Sequence, residues 1–264
     1  MIPTLLGVPF DGASSFQRGA ALGPAAIREA LQRESSNSWT EDGLDITAPG
    51  SLADAGDLII PDGSDWPTII DEGVTAVYRR GGAPLVLGGD HGITFPVVRA
   101  VARELGPVQI LHLDAHGDLY DSFDGDRLSH ACPFARIMEA GLASRLVQVG
   151  IRTLNPHQRD QIRRFGVETH EMRKWTGPFP VRFDGPVYLS LDLDVLDPAF
   201  IAGISHPEPG GLSVRDVVTM IQRLEGRLVG ADVVECNPIN DLSARTGMVA
   251  AKLVKELIAA FHRH

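Results

Sequence analysis

The sequence predicts an α/β protein, a single domain in which a mainly parallel sheet is covered by helices on both faces in three layers. Three observations carry that reading. Short apolar runs without polar alternation, such as Pro84-Leu85-Val86-Leu87 and Val187-Tyr188-Leu189-Ser190-Leu191, suit strands buried on both sides. Amphipathic stretches separate these runs, the alternation that builds a layered parallel sheet. The length of 264 residues fits one such domain over 1–264, and no internal repeat, low-complexity tract or linker interrupts it.

The elements follow in order. Ile2 to Phe10 reads as a first strand, followed by a Gly-rich loop through Gly19 and Gly23. Pro24 to Gln32 is a helix with proline in its first turn, where a missing N–H costs nothing. Trp66 to Arg80 is a second helix and Pro84 to Leu87 a buried strand. Thr94 to Leu105 is helical, Val108 to Leu113 a central strand, and His130 to Ala140 helical. Arg145 to Ile151 is a strand, Pro156 to Phe165 a helix, and Pro186 to Leu191 a strand. Ser213 caps a helix that runs to Leu224, and Leu228 to Val234 is a strand. Ala244 to His264 closes the chain as a helix with Met248, Leu253, Leu257 and Ile258 on its inner stripe. The long polar loops at 34–50, 119–128 and 200–211 are expected to shape a substrate mouth.

Composition narrows the function. Lys plus Arg total 24 against 34 Asp plus Glu, a net charge of −10, which argues against a nucleic-acid surface and favours a cationic substrate. Cys132 and Cys236 form no disulfide framework and suit a reducing compartment. Met1 to Leu6 lacks a basic segment and Asp11 breaks the apolar run, so neither a signal peptide nor a membrane span is expected. The expected location is cytoplasmic.

The chemistry lies in three blocks, each after an apolar run: Gly88-Gly89-Asp90-His91, Asp114-Ala115-His116-Gly117-Asp118 and Asp192-Leu193-Asp194. Open α/β sheets collect ligands outside the carboxyl ends of their strands. Alternation along extended backbone puts Asp114, His116 and Asp118 on one side, and Asp192 with Asp194 likewise. Two imidazoles and four carboxylates suit manganese or a similar divalent ion, and no thiolate selects a softer metal. Four aspartates cancel the charge of two divalent cations, and bound metal makes hydroxide available at ordinary pH. A calcium loop from Asp192 fails, because its sixth position is Asp197 and its twelfth Gly203. Single aspartates after strands are often only solvated, but several buried together without cations would be very costly. Alternation turns Asp90 away, towards a structural role, and His112 reads as a packed support rather than a ligand. His157, His170, His262 and His264 are expected in solvent, with His206 nearest the mouth.

These blocks resemble the three signatures of the ureohydrolases, the family of arginase, agmatinase and their relatives. Gly88-Gly89-Asp90-His91, Asp114-Ala115-His116-x-Asp118 and Ser190-Leu191-Asp192-Leu193-Asp194-Val195-Leu196-Asp197-Pro198 carry the likeness. Gly7-Val8-Pro9-Phe10, Gly23-Pro24-Ala25-Ala26-Ile27-Arg28, Pro209-Gly210-Gly211-Leu212 and Asp232-Val233-Val234-Glu235-Cys236-Asn237-Pro238 extend it along nearly the whole chain. Leu119-Tyr120-Asp121-Ser122-Phe123 with Ser129-His130-Ala131 is most similar to plant-type arginases.

The resemblance implies an arginase-type sheet, two manganese ions per subunit and a trimeric or hexameric homo-oligomer. It implies that His91 and Asp118 hold one ion, His116 and Asp194 the other, with Asp114 and Asp192 bridging. Glu235 would grip the guanidinium of a small cationic substrate through a planar two-point contact. Asp118 would steady the intermediate, and His130, titrating near working pH, would protonate the leaving amine.

For the distal end of the substrate, Asn155 stands where animal arginases carry an Asp that contacts the α-amino group, and Tyr120 where they carry Asn. Asp121, Asp124 and Asp126 ring the 119–128 loop, which tilts the expectation towards agmatine, with arginine and guanidinobutyrate as alternatives. A one-zinc deacetylase-like enzyme would not need the His91 and Asp118 ligands. A non-catalytic homologue would have lost a ligand or Glu235.

Overall fold

A computed structural model describes residues 1–263. Eight strands form one parallel sheet: β1 (Ile2–Gly7), β2 (Ala53–Asp57), β3 (Gly82–Leu87), β4 (Val108–Leu113), β5 (Ala143–Ile151), β6 (Glu168–Glu171), β7 (Val187–Asp192) and β8 (Leu228–Val234). Their order across the sheet is β2-β1-β3-β8-β7-β4-β5-β6. The helices are α1 (Gly23–Gln32), α2 (Trp66–Arg79), α3 (Thr94–Leu105), α4 (Pro133–Glu139), α5 (Pro156–Phe165), α6 (Val214–Gln222) and α7 (Arg245–His262).

Successive side chains of the central strands enter opposite cores, which is why these strands read as unbroken apolar runs. Leu85, Leu87, Leu111, Leu113, Leu189 and Leu191 pack with Ile27 of α1, Val217 and Ile221 of α6, and Leu253 and Leu257 of α7. Val86, Ile110 and Tyr188 pack with Ile70 of α2, Val97 of α3 and Phe134 of α4 on the other face. No helix among the described residues is long and apolar enough to cross a membrane.

Several expectations change. The two edge strands, β2 and β6, are exposed and rich in Asp, Glu, Thr and His, so no apolar run announces them. Charged edges also discourage pairing with other sheets. The first strand ends at Gly7 rather than Phe10. The helix expected from His130 starts at Pro133, where the ring suits the first turn. Met248 does not belong to the inner stripe of α7: it is 42% exposed, whereas Leu253, Leu257 and Ile258 are fully buried. His264 lies outside the described residues. The 34–50 loop packs on α7, through Lys255 to the Asn37 carbonyl and the Glu41 N–H to Glu256, and does not line the cavity described below.

Ser213 caps α6 as expected and forms a full capping box. Its hydroxyl accepts from the Asp216 N–H at 3.1 Å, and the Asp216 carboxylate accepts from the Ser213 N–H at 3.0 Å. Ser213→Ala is expected to cost about 1 kcal/mol and to lower Tm by about 2–4 °C. An unchanged Tm would mean that the cap contributes nothing.

Candidate active site

The sheet order β3-β8-β7-β4 sets four carboxyl ends side by side, and the chemical residues follow from them. His91 opens a 3₁₀ turn after β3, Asp114 follows β4, Asp192 ends β7 and Glu235 follows β8. Asp90 caps the His91 turn by accepting from the Gly92 N–H at 3.0 Å and also accepts from the Ala13 N–H at 2.8 Å. Its buried carboxyl, pushed up to about 7 by burial, is structural, as alternation predicted.

The backbone beyond the strands is not extended. Asp114 accepts from the His116 N–H, Asp118 adopts a left-handed φ of 47°, and Asp192 caps a turn by accepting from the Asp194 N–H at 2.8 Å. The turns at Asp114 and Asp192 each fold an aspartate back onto the N–H two residues on, which fixes the carboxylates of Asp114 and Asp192 in place. Glu235 is also left-handed, with φ of 63°. Such backbone strain in non-glycine residues clusters at functional sites.

The six expected metal residues converge. His91 Nδ1 lies 3.1 Å from Asp114 Oδ2, 3.1 Å from Asp118 Oδ2 and 3.0 Å from Asp192 Oδ2. His116 Nδ1 lies 2.8 Å from Asp194 Oδ2 and 3.4 Å from Asp114 Oδ1. Asp114 thus offers one oxygen to each imidazole. Asp194 also accepts from the Ala115 N–H at 3.0 Å, tying the β7 turn to the β4 turn.

The cage demands positive charge. Burial, with the charges of Asp194 and Asp114 added, pushes Asp192 well above the carboxylate range, and burial beside Asp114 raises Asp118. Burial opposes a charged His91, yet Asp114, Asp118 and Asp192 overcome it and push its pKa up. His91 Nδ1 is nevertheless buried without a well-aligned hydrogen bond. A nitrogen among three carboxylate oxygens, with nothing bonded to it, fits a cation.

His112 is close enough to tempt assignment as a ligand, since His91, His112 and Asp114 form one tight group and Asp114, His116 and Asp194 another. Its protons exclude it. The Gln148 side-chain amide donates to the Gly117 carbonyl at 2.7 Å and to His112 Nδ1 at 3.0 Å. Nε2 of the neutral ring therefore carries the proton and donates to Asp114 Oδ2 at 2.7 Å. His112 supports Asp114 and has no lone pair left for a metal.

A cavity of about 210 Å³ opens onto the cage, lined by His116, Asp118, Asp192 and Asp194 together with Glu235, His130 and His206. Glu235 Oε1 accepts from the His91 N–H at 2.9 Å, while Oε2 is buried without a partner. Burial, reinforced by Asp90, holds this carboxyl well above its usual range, so it too lacks a cation. His130 sits in the turn before α4, its ring stacked on His206 at 4.7 Å and its Nε2 2.8 Å from Ser15 Oγ. Burial first, then the charges of His206, His91 and His116, push its pKa down to about 3. The ring is neutral at rest, a correction to the expectation that it titrates near neutrality.

Of the residues expected at the distal end, only Tyr120 lines the cavity. Asn155 caps α5, accepting from the Gln158 N–H at 2.9 Å and donating to the Tyr120 hydroxyl at 2.6 Å. Asp121 accepts from Gln161 at 2.8 Å and pairs with Arg164 at 3.3 Å. Asp126 accepts from the Leu128 N–H at 2.7 Å, and Asp124 is exposed. The acidic ring therefore serves α5 and its own turn rather than the cavity. His206 reaches the mouth as expected, and His157, His170 and His262 are exposed. Cys132 and Cys236 are buried and unpaired, their thiols pushed up to about 12 by burial. Ser15, Phe123, Thr153 and Gln158 line the cavity without having been anticipated. Ser15, Phe123 and Thr153 lie in loops that follow strands or shape the mouth, and Gln158 lies in the first turn of α5.

The comparisons agree with this geometry. The model of the Arginase family matches residues 3–260. Arginase 1, mitochondrial, of Arabidopsis thaliana is 50% identical over 273 residues, which cover 97% of this chain and 80% of that protein. Agmatinase, mitochondrial, of Gallus gallus is 36% identical, covering 96% and 79%. The solved arginase from Medicago truncatula superposes with a TM-score of 0.93 at 45% identity, covering 98% of this chain and 87% of that one. With its ligand-bearing turns gathered at four adjacent strand ends and a family match over nearly its full length, this chain belongs to the arginase family.

Proposed function

We propose that the protein hydrolyses L-arginine to L-ornithine and urea at a centre of two divalent cations, manganese by the donor set. The observation that carries the reaction is Glu235 Oε2, a buried carboxylate oxygen without a partner on the wall of a cavity that opens onto the cage. It answers the planar, cationic guanidinium with a charge-assisted contact. His91 with Asp118, and His116 with Asp194, would hold one cation each, Asp114 and Asp192 both. When bound, such a pair supplies hydroxide near neutral pH.

The chain's own groups do the rest. Glu235 orients the guanidinium carbon towards the cage. Asp118 accepts a hydrogen bond from the attacking oxygen and steadies the tetrahedral intermediate. His130, neutral at rest, would take the proton that the attacking oxygen still carries in the tetrahedral intermediate and pass it to the departing amine nitrogen as the carbon–nitrogen bond breaks. Ser15 holds the ring through Nε2.

Arginine replaces agmatine as the first choice for two reasons. The acidic ring that suggested agmatine does not line the cavity. The polarity at Tyr120 favours a carboxylate instead. Asn155 spends its oxygen on the helix cap and its N–H on the Tyr120 oxygen, so the phenolic proton is free to donate into the cavity. Arginine has a carboxylate to receive it and agmatine has none. Gln158 adds a buried acceptor oxygen without a partner on the same wall, suited to an α-ammonium. The relatives with about 50% identity named arginase support the same choice.

Colorimetric urea release by manganese-loaded protein on arginine, agmatine and guanidinobutyrate tests this. Arginine is expected to lead agmatine in kcat/KM by at least about tenfold, the worth of one hydrogen bond to a charged group. Faster agmatine turnover would overturn the substrate, and no urea from any of the three would overturn the reaction.

A further inference from the structure

We propose that Asp232, which touches none of the six expected metal ligands, decides which ring nitrogen of His91 is open to a cation. The inference rests on the metal centre proposed above and concerns how this chain prepares it.

Asp232 lies in β8 and is fully buried. Three hydroxyls converge on it. Ser190 Oγ donates to Oδ1 at 2.7 Å, Tyr188 Oη to Oδ2 at 2.6 Å and Thr94 Oγ1 to Oδ2 at 2.8 Å. In each contact the hydroxyl gives its single proton to an oxygen of Asp232. Three donors also satisfy the buried acceptor oxygens.

The consequence passes through Ser190. With its proton committed, this hydroxyl has only lone pairs for His91 Nε2, which lies 3.0 Å away. In the neutral ring Nε2 therefore carries the proton, and Nδ1 is left bare. Nδ1 is the nitrogen that faces Asp114, Asp118 and Asp192. Without this bias the proton would sit on Nδ1, held by those carboxylates, and would occupy the place of the cation. His112 carries its proton on the same nitrogen but turns it the other way: the Gln148 amide donates to Nδ1, and the Nε2 proton is the one that reaches Asp114. Asp232 and Ser190 are thus positioning residues that act through His91.

The polarity of the relay makes an unusual ranking testable. In Asp232→Asn, Tyr188 and Thr94 must keep an acceptor, so the amide oxygen faces them and its NH₂ faces Ser190. The serine hydroxyl then reverses, donates to Nε2 and sends the ring proton to Nδ1. Ser190→Ala removes the bias without reversing it. Manganese affinity, measured by calorimetry on the full-length protein, is expected to fall about 10- to 100-fold in Asp232→Asn. It should fall less in Ser190→Ala, although Ser190 is the nearer residue.

When Ser190→Ala is already present, Asp232→Asn should change affinity no further, because the link that carried its effect is gone. Tm of each metal-free variant reports simple destabilisation, which would hurt all the variants without this ranking and would add in the double variant. Wild-type affinity in Asp232→Asn, a larger loss in Ser190→Ala, or additive losses would each overturn the relay while leaving the metal centre intact. A wild-type protein that binds no manganese would overturn the centre and the relay with it.

Discussion

Glu235→Gln is expected to reduce kcat/KM on the order of 10²- to 10³-fold while manganese binding stays at the wild-type level. The substitution keeps the shape of the side chain and the oxygen that accepts from the His91 N–H. It removes the negative charge on the wall of the cavity. A buried charge pair stripped of one partner costs about 2–5 kcal/mol, and each 1.4 kcal/mol is about a tenfold change in rate. Glu235 is not among the expected ligands, so metal content separates loss of the guanidinium seat from loss of the cage. Thermal stability of the metal-free protein should not fall, because the carboxylate is buried beside Asp90 with one oxygen unpartnered. Wild-type kinetics in this variant would sink the assignment of Glu235.

Asp192→Asn carries the second large effect, and its sign depends on the metal. Asp192 is buried, with the charges of Asp194 and Asp114 beside it and His91 Nδ1 at 3.0 Å. In the metal-free protein this crowding of like charges is unfavourable, so neutralising one carboxylate should raise Tm. In the manganese-loaded protein the same carboxylate is an expected ligand to both cations, so the variant should bind metal weakly and gain less from loading. Activity should fall on the order of 10³-fold, since the cations account for several kcal/mol of transition-state stabilisation. Tm measured with and without manganese tests the crossing. A variant less stable than wild type in both states would show that Asp192 serves packing rather than the cage.

How much of the site is legible in the sequence depends on how local its causes are. His91, Asp114, His116, Asp118, Asp192 and Asp194 stand directly after apolar runs, and the end of a buried strand is where an α/β sheet presents its ligands. The six positions are therefore readable from the order of residues alone. The edge strands are not, because Ala53–Asp57 and Glu168–Glu171 need only one neighbour and no apolar face. Asp121 and Asn155 also mislead. Each is a polar residue in a loop, and only the position of Arg164 and Gln161, or of Tyr120, reveals what it bonds.

The residue types alone determined the class of chemistry here: alternating buried strands and helices, acids and imidazoles at the strand ends, and a glutamate after the last strand. These follow from short-range rules, periodicity and the costs of burying charge. Only the tertiary structure decided that β3, β8, β7 and β4 are neighbours, that turns rather than extended backbone close the cage, and which histidine nitrogen faces it. Strand adjacency comes from packing summed over residues far apart in the chain. A ring proton is placed by hydrogen bonds that reach from Thr94 to Asp232, and no local pattern in the sequence encodes either.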